Sequence, residues 1–355
     1  MNRQHPGSST VRLLYSEVKS ATDRICGRTR PVTLTPLDAG AIRTAPRDPL
    51  DDRPEQPCEV WLALEFMQHT GSFKARGALN FLQAHQDAGT LPKAGVTIAS
   101  GGNAGLACAW AARQQGVPAT VFVPETAPAV KVAKLRDYGA DVRLVGSEYA
   151  EALAACQAHA ATTGALASHA YDDLLIAGGA GTLMAEIHAQ IPDVDTVVVA
   201  VGGGGLFTGV ATVAQEHGIR TIAVEPAHCR ALNAAIEAGR PVDVTVNSIA
   251  ADSLGARRTS ASALKAAQRG GVLSVLVPDE MIVLARQALW DHRRIAVEHG
   301  AATALAALLS PDRHPHRGDA PPPSTPATSY RPAPGEKVVV VLCGANTDPT
   351  DLITR

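Results

Sequence analysis

The chain has 355 residues, 46% of them hydrophobic, which is enough apolar material for one large or two ordinary domains. Its 32 lysines and arginines nearly balance 34 aspartates and glutamates, so the net charge of -2 provides no one-signed field for binding nucleic acid or an anionic membrane. Aromatic residues make up only 4%, which argues against stacking on single-stranded nucleic acid. We therefore expect a small-molecule partner, with no nucleic acid and no membrane involved.

The first ten residues are polar and contain no apolar run of signal-peptide length, which predicts a cytoplasmic protein. Six cysteines are scattered along the chain without a CxxC pair, which predicts free thiols. No length remains after the motifs described below for a regulatory module, so we expect no feedback inhibition.

Buried strands and helices alternate through the first half of the chain. A strand at 96–99 leads into a glycine turn and an alanine-rich helix that ends near Gln115. A strand at 117–123, a helix at 129–138 and a strand at 141–145 follow.

The same alternation continues in the second half. The pattern predicts a strand at 197–201, a helix at 206–217 and strands at 219–224 and 337–342. Residues 311–335 are rich in proline and lack apolar periodicity, so we expect a flexible insertion there. Together these elements predict an open, mostly parallel α/β sheet whose ligands lie beyond the carboxyl ends of its strands.

Four consecutive glycines, Gly202–Gly205, lie between a predicted strand and a predicted helix. Such a turn exposes backbone N–H groups beside a helix N-terminus, which suits a phosphate monoester. The alternative is that the glycines only allow close packing of the helix on the sheet. The GxGxxG and GxxxxGK[ST] fingerprints are absent, as are HExxH and GxSxG, which disfavours dinucleotide, P-loop, zinc-protease and serine-hydrolase functions.

A second candidate is Lys74, in the segment HTGSFKARGALNF. A lysine kept apart from carboxylates, next to the cationic Arg76 and partly desolvated, would have a lowered pKa and an available amine, as an imine-forming lysine requires. The alternative is a surface lysine at the start of a helix.

Two further features lie at strand ends. The turn SGGNAG, Ser100–Gly105, offers backbone amides, a hydroxyl and a side-chain amide that could hold a carboxylate, although glycine-asparagine turns are common. Cys343 follows the last predicted strand, at the same sheet edge as both glycine turns. A buried thiol there is ordinarily only a small hydrophobic group.

In this order, TGSFKARGA, SGGNAG, GGGGL and VLCGAN resemble the fold-type-II pyridoxal-phosphate enzymes (the tryptophan synthase beta-like family), most closely their serine/threonine dehydratase branch. The resemblance extends from Thr35 to Asn346 and includes TLTPL, VEP and the GAA that follows Glu298. It implies an open, mostly parallel twisted sheet in a large domain, residues 1–95 and 171–355, with a smaller inserted α/β domain, residues 96–170. It also implies a homodimer, and closure of the small domain over the substrate.

The resemblance implies that Lys74 binds pyridoxal 5'-phosphate covalently and removes the substrate α-proton as general base. Phe73 would pack on the cofactor ring, Asn103 would hydrogen-bond its 3'-oxygen, and Cys343 would face its nitrogen. Gly255 and Glu298 would line the ring less directly. The residues implied to hold the phosphate are Gly202, Gly203, Gly204, Gly205 and Leu206.

The same resemblance implies a site for the substrate carboxylate and raises a cation site. Glu225, in VEP, matches a residue beside which the family often binds a cation, here K+ or Mg2+, but Ala231 stands where some members carry a third acidic ligand. The residues implied to bind the substrate carboxylate are Ser100, Gly101, Asn103 and Ala104.

The implied reaction is α,β-elimination of water from a 3-hydroxy amino acid, L-serine or L-threonine, giving a 2-oxo acid and ammonia. The leaving hydroxyl would take its proton from the cofactor phosphate. Racemases of this group usually carry a second serine where this chain has Gly101, which disfavours racemisation. A neutral thiol at Cys343 cannot stabilise a protonated ring nitrogen as an aspartate would, so the carbanion is less fully delocalised into the ring, which favours elimination.

Several alternatives stay open. Within the family they are a dehydratase for a bulkier substrate, such as hydroxyaspartate or phenylserine, and a β-replacement enzyme like cysteine synthase. A third is a non-catalytic protein that binds the cofactor in a sensory or structural role. A nicotinamide oxidoreductase is disfavoured because its glycine fingerprint is absent.

Overall fold

The computed structural model describes residues 12–42, 57–309 and 327–353, and the counts and absences below refer to those residues. Its strands are β1 Leu34–Pro36, β2 Glu59–Ala63, β3 Val96–Ala99, β4 Ala119–Val123, β5 Asp141–Leu144, β6 Leu166–Ala167, β7 Thr196–Ala200, β8 Arg220–Pro226, β9 Val272–Val277 and β10 Lys337–Val341.

Helices connect most of these strands, and two short 3-10 helices, Glu65–Met67 and His69–Gly71, precede the second α-helix. The α-helices are α1 Tyr15–Ile25, α2 Lys74–Asp87, α3 Asn103–Gln115, α4 Ala129–Asp137, α5 Tyr149–Thr163, α6 Leu174–Gln190, α7 Gly205–Glu216, α8 Ala231–Ala238, α9 Ala251–Leu254, α10 Ala261–Ala267, α11 Asp279–Arg293, α12 His299–Ala306 and α13 Thr350–Ile353.

The larger sheet has six strands in the order β1-β2-β10-β7-β8-β9. Every neighbouring pair is parallel except β1 with β2. All five residues of β7 are buried, as are most of those in β8 and β10, because helices cover both faces of the sheet. This confirms the predicted open, mostly parallel α/β sheet.

The smaller sheet has four parallel strands in the order β5-β4-β3-β6. All four come from the continuous stretch 96–167. A separate cluster of buried side chains, which includes Leu106, Trp110 and Val121, packs α3 against this sheet. The larger sheet has its own core around Val198, Phe207 and Ile222.

Close helix packing places two glycine-containing helices beside α6. A methyl group on Gly77 in α2 would lie 2.7 Å from the carbonyl oxygen of Ile176, and one on Gly209 in α7 would lie 2.4 Å from that of Ala177. Only glycine permits these approaches. As a result α2, which begins at Lys74, and α7, which begins within the glycine run, pack against the same helix.

The end of β10 is tied to the segment that precedes α2. Ser72 forms an isolated antiparallel bridge with Gly344, and the Phe73 amide donates a hydrogen bond to the carbonyl oxygen of Cys343, 2.9 Å away. This pairing brings the start of α2 to the carboxyl edge of the larger sheet.

The proline-rich segment differs in part from its prediction. Residues 310–326 lie outside the described residues, but Ala327 bridges Val275 in β9, and its carbonyl accepts a hydrogen bond from the amide of Leu276. Tyr330 is buried, and its hydroxyl contacts Glu336. The part after residue 326 is therefore packed rather than free, because the tyrosine ring fills a place in the core.

Two other features of the described ranges bear on the predictions. All six cysteines are free thiols, as the sequence predicts. Across these ranges, none of the helices combines the length and apolar character that crossing a bilayer requires.

Candidate active site

Lys74 is the first residue of α2 and is partly buried. Its Nζ donates a hydrogen bond to the carbonyl oxygen of Ala170, 2.6 Å away, and lies 4.9 Å from the centre of the Phe73 ring. Burial lowers the pKa of Lys74 to about 8, although Cys343 and Glu298 act in the opposite direction. An amine in this state is available as a nucleophile or base near neutral pH.

Arg76 does not contribute to this lowered pKa, contrary to the sequence prediction. Its guanidinium is fully buried and bidentate to Glu65, with contacts of 2.6 and 3.0 Å, and to Glu186, with contacts of 2.6 and 2.9 Å. These two carboxylates compensate its charge. Arg76 instead ties α2 to α6 and to the 3-10 helix at Glu65–Met67.

The glycine run forms the turn between β7 and α7, and helix α7 begins at Gly205 without a side-chain cap. Gly204 has a φ of +99°, which L side chains rarely adopt. A methyl group would lie 2.3 Å from the Tyr171 ring if placed on Gly203, and 2.4 Å from the Ala263 methyl if placed on Gly204. Because no side chain caps α7, the backbone N–H groups at its start are available to donate hydrogen bonds to an anion such as phosphate. Leu206, next in the helix, is buried.

The SGGNAG turn joins β3 to α3 in the same way. Helix α3 begins at Asn103 and has no side-chain cap, because the preceding residue is Gly102. The Ser100 hydroxyl accepts a hydrogen bond from the Gly102 amide at 3.4 Å, while Gly101 and Ala104 are partly exposed. A hydroxyl and several amides at a helix N-terminus suit a carboxylate.

The side chain of Asn103 is held by residues that are distant in sequence. Its Nδ2 donates to both carboxylate oxygens of Glu298, at 2.8 and 3.0 Å, and its Oδ1 accepts from Nδ2 of Asn346 at 2.8 Å. Glu298 is buried, which raises its pKa. The resemblance implies that Glu298 lines the cofactor ring only less directly. In the structure its carboxylate accepts hydrogen bonds from the side chain of Asn103.

Cys343 and Gly255 lie at the ends of two further elements. Cys343 follows β10, is buried, and has a pKa that burial raises to about 12, so its thiol stays protonated and neutral. Gly255 ends α9, where a methyl group would lie 2.3 Å from the carbonyl oxygen of Ala251.

These residues fit pyridoxal phosphate. The site offers an amine of low pKa, an uncapped glycine-rich helix start, an oriented amide and a neutral thiol. Five buried side-chain polar atoms in the described residues lack a hydrogen-bond partner, and two of them, Thr70 Oγ1 and Ser72 Oγ, belong to the segment that leads into Lys74. Unused polar groups at this position are consistent with a ligand site.

A family model described as "Pyridoxal-phosphate dependent enzyme" matches residues 40–344. The chain belongs to this family. Among curated relatives, it is 39% identical to an L-threonine ammonia-lyase of Geobacter sulfurreducens, over 71% of this chain and 62% of that protein. It is 37% identical to a serine dehydratase-like protein of Homo sapiens, over 81% of this chain and 85% of that protein. The match thus spans less than two thirds of the Geobacter relative.

Solved structures of the family share its fold. A threonine deaminase is 27% identical with a TM-score of 0.73, covering 94% of this chain and 99% of that one. A maize serine racemase is 25% identical with a TM-score of 0.79, covering 97% and 96%. The predicted fold-type-II family and its serine/threonine dehydratase branch are confirmed.

At the predicted cation site, the structure shows which groups already contact Glu225. Glu225 is fully buried, and its two carboxylate oxygens accept hydrogen bonds from the amides of Leu232 and Asn233, at 2.7 and 2.8 Å. Burial raises its pKa to about 8. Helix α8, which begins at Ala231, thus supplies both hydrogen bonds. The described part of the chain holds no group of three or more acidic, histidine or cysteine side chains that could bind a metal, and the cation site stays a prediction.

Three residues of the site escaped the sequence predictions. Ala170 and Tyr171 come from the loop between β6 and α6, which carries no recognisable motif. Asn346 belongs to the VLCGAN motif itself, so a polar side chain three residues after a sheet-edge cysteine was the available signal.

Proposed function

We propose that this chain is a pyridoxal-phosphate dependent ammonia-lyase that converts L-threonine or L-serine to the corresponding 2-oxo acid and ammonia. The observation that carries the proposal is the partly buried Lys74 amine, whose pKa of about 8 suits proton transfer and which bonds to an uncharged carbonyl. The names of the curated relatives support the same substrates. The water lost in the elimination is regained on hydrolysis, so the overall reaction releases only ammonia.

When bound, pyridoxal phosphate supplies an electron sink for the pair released as the Cα–H bond breaks. In this proposal the Lys74 amine accepts the α-proton, for which a pKa near 8 is well matched. The Ser100 hydroxyl and the amides at the start of α3 bind and orient the substrate carboxylate. The Cys343 thiol stays neutral and would place no negative charge beside the ring nitrogen of a bound cofactor, which would favour loss of the β-hydroxyl over return of the α-proton.

The proposal includes a mobile small domain, residues 96–170. Lys131 in α4 forms a salt bridge with Asp252 in α9, with Nζ and Oδ1 2.5 Å apart. Asp252 lies in the same short helix that Gly255 terminates. The bridge thus joins the small sheet's helices to the wall of the site and would favour the closed arrangement.

We also propose that the protein is a cytoplasmic homodimer, as the family resemblance implies. Leu284 in α11 and Ile353 in α13 are exposed apolar side chains that a partner could cover. Light scattering on the purified protein distinguishes a dimer from a monomer.

Racemisation is the reaction that three similar structures raise, since the maize and Dictyostelium discoideum proteins are serine racemases and a third is an aspartate racemase. Here Gly101 follows Ser100, so no hydroxyl is available at that position to deliver a proton to the opposite face of the α-carbon. We expect no D-serine from L-serine.

A bulkier substrate is the second candidate. A phenylserine dehydratase of Ralstonia pickettii is 33% identical over 86% of this chain and 89% of that protein, a longer match than the threonine and serine relatives described above give. A substrate panel decides between the two.

The test is a panel assay on purified, cofactor-loaded protein with L-threonine, L-serine, phenylserine and 3-hydroxyaspartate, measuring 2-oxo acid and ammonia. L-threonine or L-serine should give both products in equal amounts. A sulfide-dependent product would instead indicate β-replacement. No 2-oxo acid from any of the four, with cofactor bound, would overturn the proposal and indicate a non-catalytic binding role.

A further inference from the structure

Asn346 joins three segments of the active site that are far apart in sequence. Its Nδ2 donates to the carbonyl oxygen of Thr70 at 2.7 Å and to Oδ1 of Asn103 at 2.8 Å. Its backbone amide donates to Oε1 of Glu298 at 3.0 Å. Through its side chain and its backbone amide, this one residue thus contacts the turn before Lys74, the start of α3 and the residue that precedes α12.

The turn that Asn346 holds has a strained backbone. Thr70 has a φ of +62°, and it is one of two non-glycine residues with positive φ in the described ranges. This conformation is unfavourable for a β-branched residue and persists only where neighbouring contacts impose it. Gly71 makes the contact possible, because a methyl group there would lie 3.0 Å from Oδ1 of Asn346. The strained turn leads directly into Phe73 and Lys74.

The hydrogen bonds leave only one orientation for the Asn103 amide. Turning it over would place Oδ1 against the carboxylate of Glu298 and Nδ2 against the donor nitrogen of Asn346. The two N–H bonds of an amide diverge widely, whereas the two oxygens of one carboxylate lie side by side, so a single N–H serves both oxygens of Glu298. The second N–H of Asn103 remains for another acceptor.

We propose that Asn346 is a positioning residue, which orients the Asn103 amide so that its second N–H faces the cofactor and which holds the strained turn before Lys74. The inference rests on the proposed function, because the acceptor for that N–H is the ring oxygen of pyridoxal phosphate. Asn346 itself acts only through Asn103 and Thr70.

An isosteric substitution separates positioning from simple filling of space. Asn346→Asp keeps the size of the side chain but directs carboxylate oxygens at two acceptors, the carbonyl of Thr70 and Oδ1 of Asn103. Repulsion would turn the Asn103 amide away from its place on Glu298. Asn346→Ala removes the hydrogen bonds without adding repulsion. If the residue only filled space, the aspartate variant would be the milder of the two.

The experiment titrates apoprotein with pyridoxal phosphate, following tryptophan fluorescence for the dissociation constant and the visible absorbance of the bound cofactor. Thr347→Ala is the matched control, because this neighbouring hydroxyl contacts Arg286 and not Asn103. Circular dichroism of each apoprotein checks folding. Failure of the wild type to bind pyridoxal phosphate would refute the proposed function itself, and the comparison of variants tests the positioning role separately.

We expect Asn346→Asp to bind the cofactor at least about tenfold more weakly than wild type, and more weakly than Asn346→Ala. Both variants should shift the absorbance maximum, because the ring oxygen has lost an oriented donor, and Thr347→Ala should leave it in place. Binding by Asn346→Asp that equals or exceeds that of Asn346→Ala would overturn the inference. If Asn346→Asp does not fold, an unchanged absorbance maximum in Asn346→Ala overturns it equally.

Discussion

Nζ of Lys74 donates a hydrogen bond to the carbonyl oxygen of Ala170, 2.6 Å away, across 96 positions of the sequence. An uncharged acceptor orients the amine without the strong stabilisation of its charged form that a carboxylate partner would give. Burial can therefore lower the pKa of Lys74 to about 8, and this property makes the residue suitable for both covalent attachment and proton transfer.

The first prediction concerns the pH dependence of cofactor capture. Only the neutral amine of Lys74 attacks a carbonyl carbon, and its fraction rises with pH through the pKa of about 8. Stopped-flow mixing of apoprotein with pyridoxal phosphate should show a rate that increases between pH 7 and 9 and then levels off. A rate still climbing steeply toward pH 10.5, the ordinary lysine pKa, would show that the amine is not buried as described.

A second prediction tests the glycine turn. Gly204→Ala adds a methyl group where φ is +99° and where the Ala263 methyl would be 2.4 Å away, so it should displace the backbone amides that we propose bind the phosphate. We expect the affinity for pyridoxal phosphate to fall at least about tenfold. Gly218→Ala is the matched control, since it also has a positive φ but open space around it. It should lower stability by about 1–2 kcal/mol and leave cofactor affinity unchanged. Equal affinities for the two variants would exclude this turn as the phosphate site.

The buried arginine gives a third prediction. Arg76→Met leaves the carboxylates of Glu65 and Glu186 without their partner, and the free energy of unfolding should fall by about 3–5 kcal/mol. Arg258→Met breaks the exposed pair with Asp243 and should cost about 0–1 kcal/mol. Urea unfolding of the apoproteins measures both. Similar losses in the two variants would show that the Arg76 network does not anchor α2.

The fourth prediction addresses closure of the site. Lys131→Met removes the salt bridge to Asp252, whose side chain is 71% exposed, so the change should be modest. We expect KM for the amino acid to rise about twofold to fivefold, with kcat reduced less. High salt should raise KM of the wild type toward that of the variant, because it screens an exposed pair. A KM that neither the substitution nor salt alters would show that the bridge plays no part in substrate binding.

The sequence was most informative where glycine and proline mark the ends of elements. The helix predicted at 129–138 and the strand predicted at 141–145 agree with α4 and β5 to within one residue. The strand predicted at 117–123 begins instead at Ala119, because Pro118 has no N–H to contribute to the ladder.

The contacts that define the site were beyond sequence reasoning. The sequence prediction used the charge of Arg76 to lower the pKa of its neighbour Lys74. In the structure that charge is compensated by Glu186, 110 positions away. Glu298 reaches Asn103 across 195 positions. Such pairings depend on how the elements pack, and the sequence around each partner does not indicate them.

Borohydride reduction of the cofactor-loaded protein, followed by peptide mass mapping, tests most directly whether Lys74 carries the cofactor. Reduction fixes any covalent link between a lysine and the cofactor. We predict a phosphopyridoxyl group on the peptide that contains Lys74, and none on that peptide in Lys74→Ala. Lys93→Ala, which changes an exposed lysine, should retain the modification at Lys74. Label on another lysine, with an unmodified Lys74 in the wild type, would contradict this assignment.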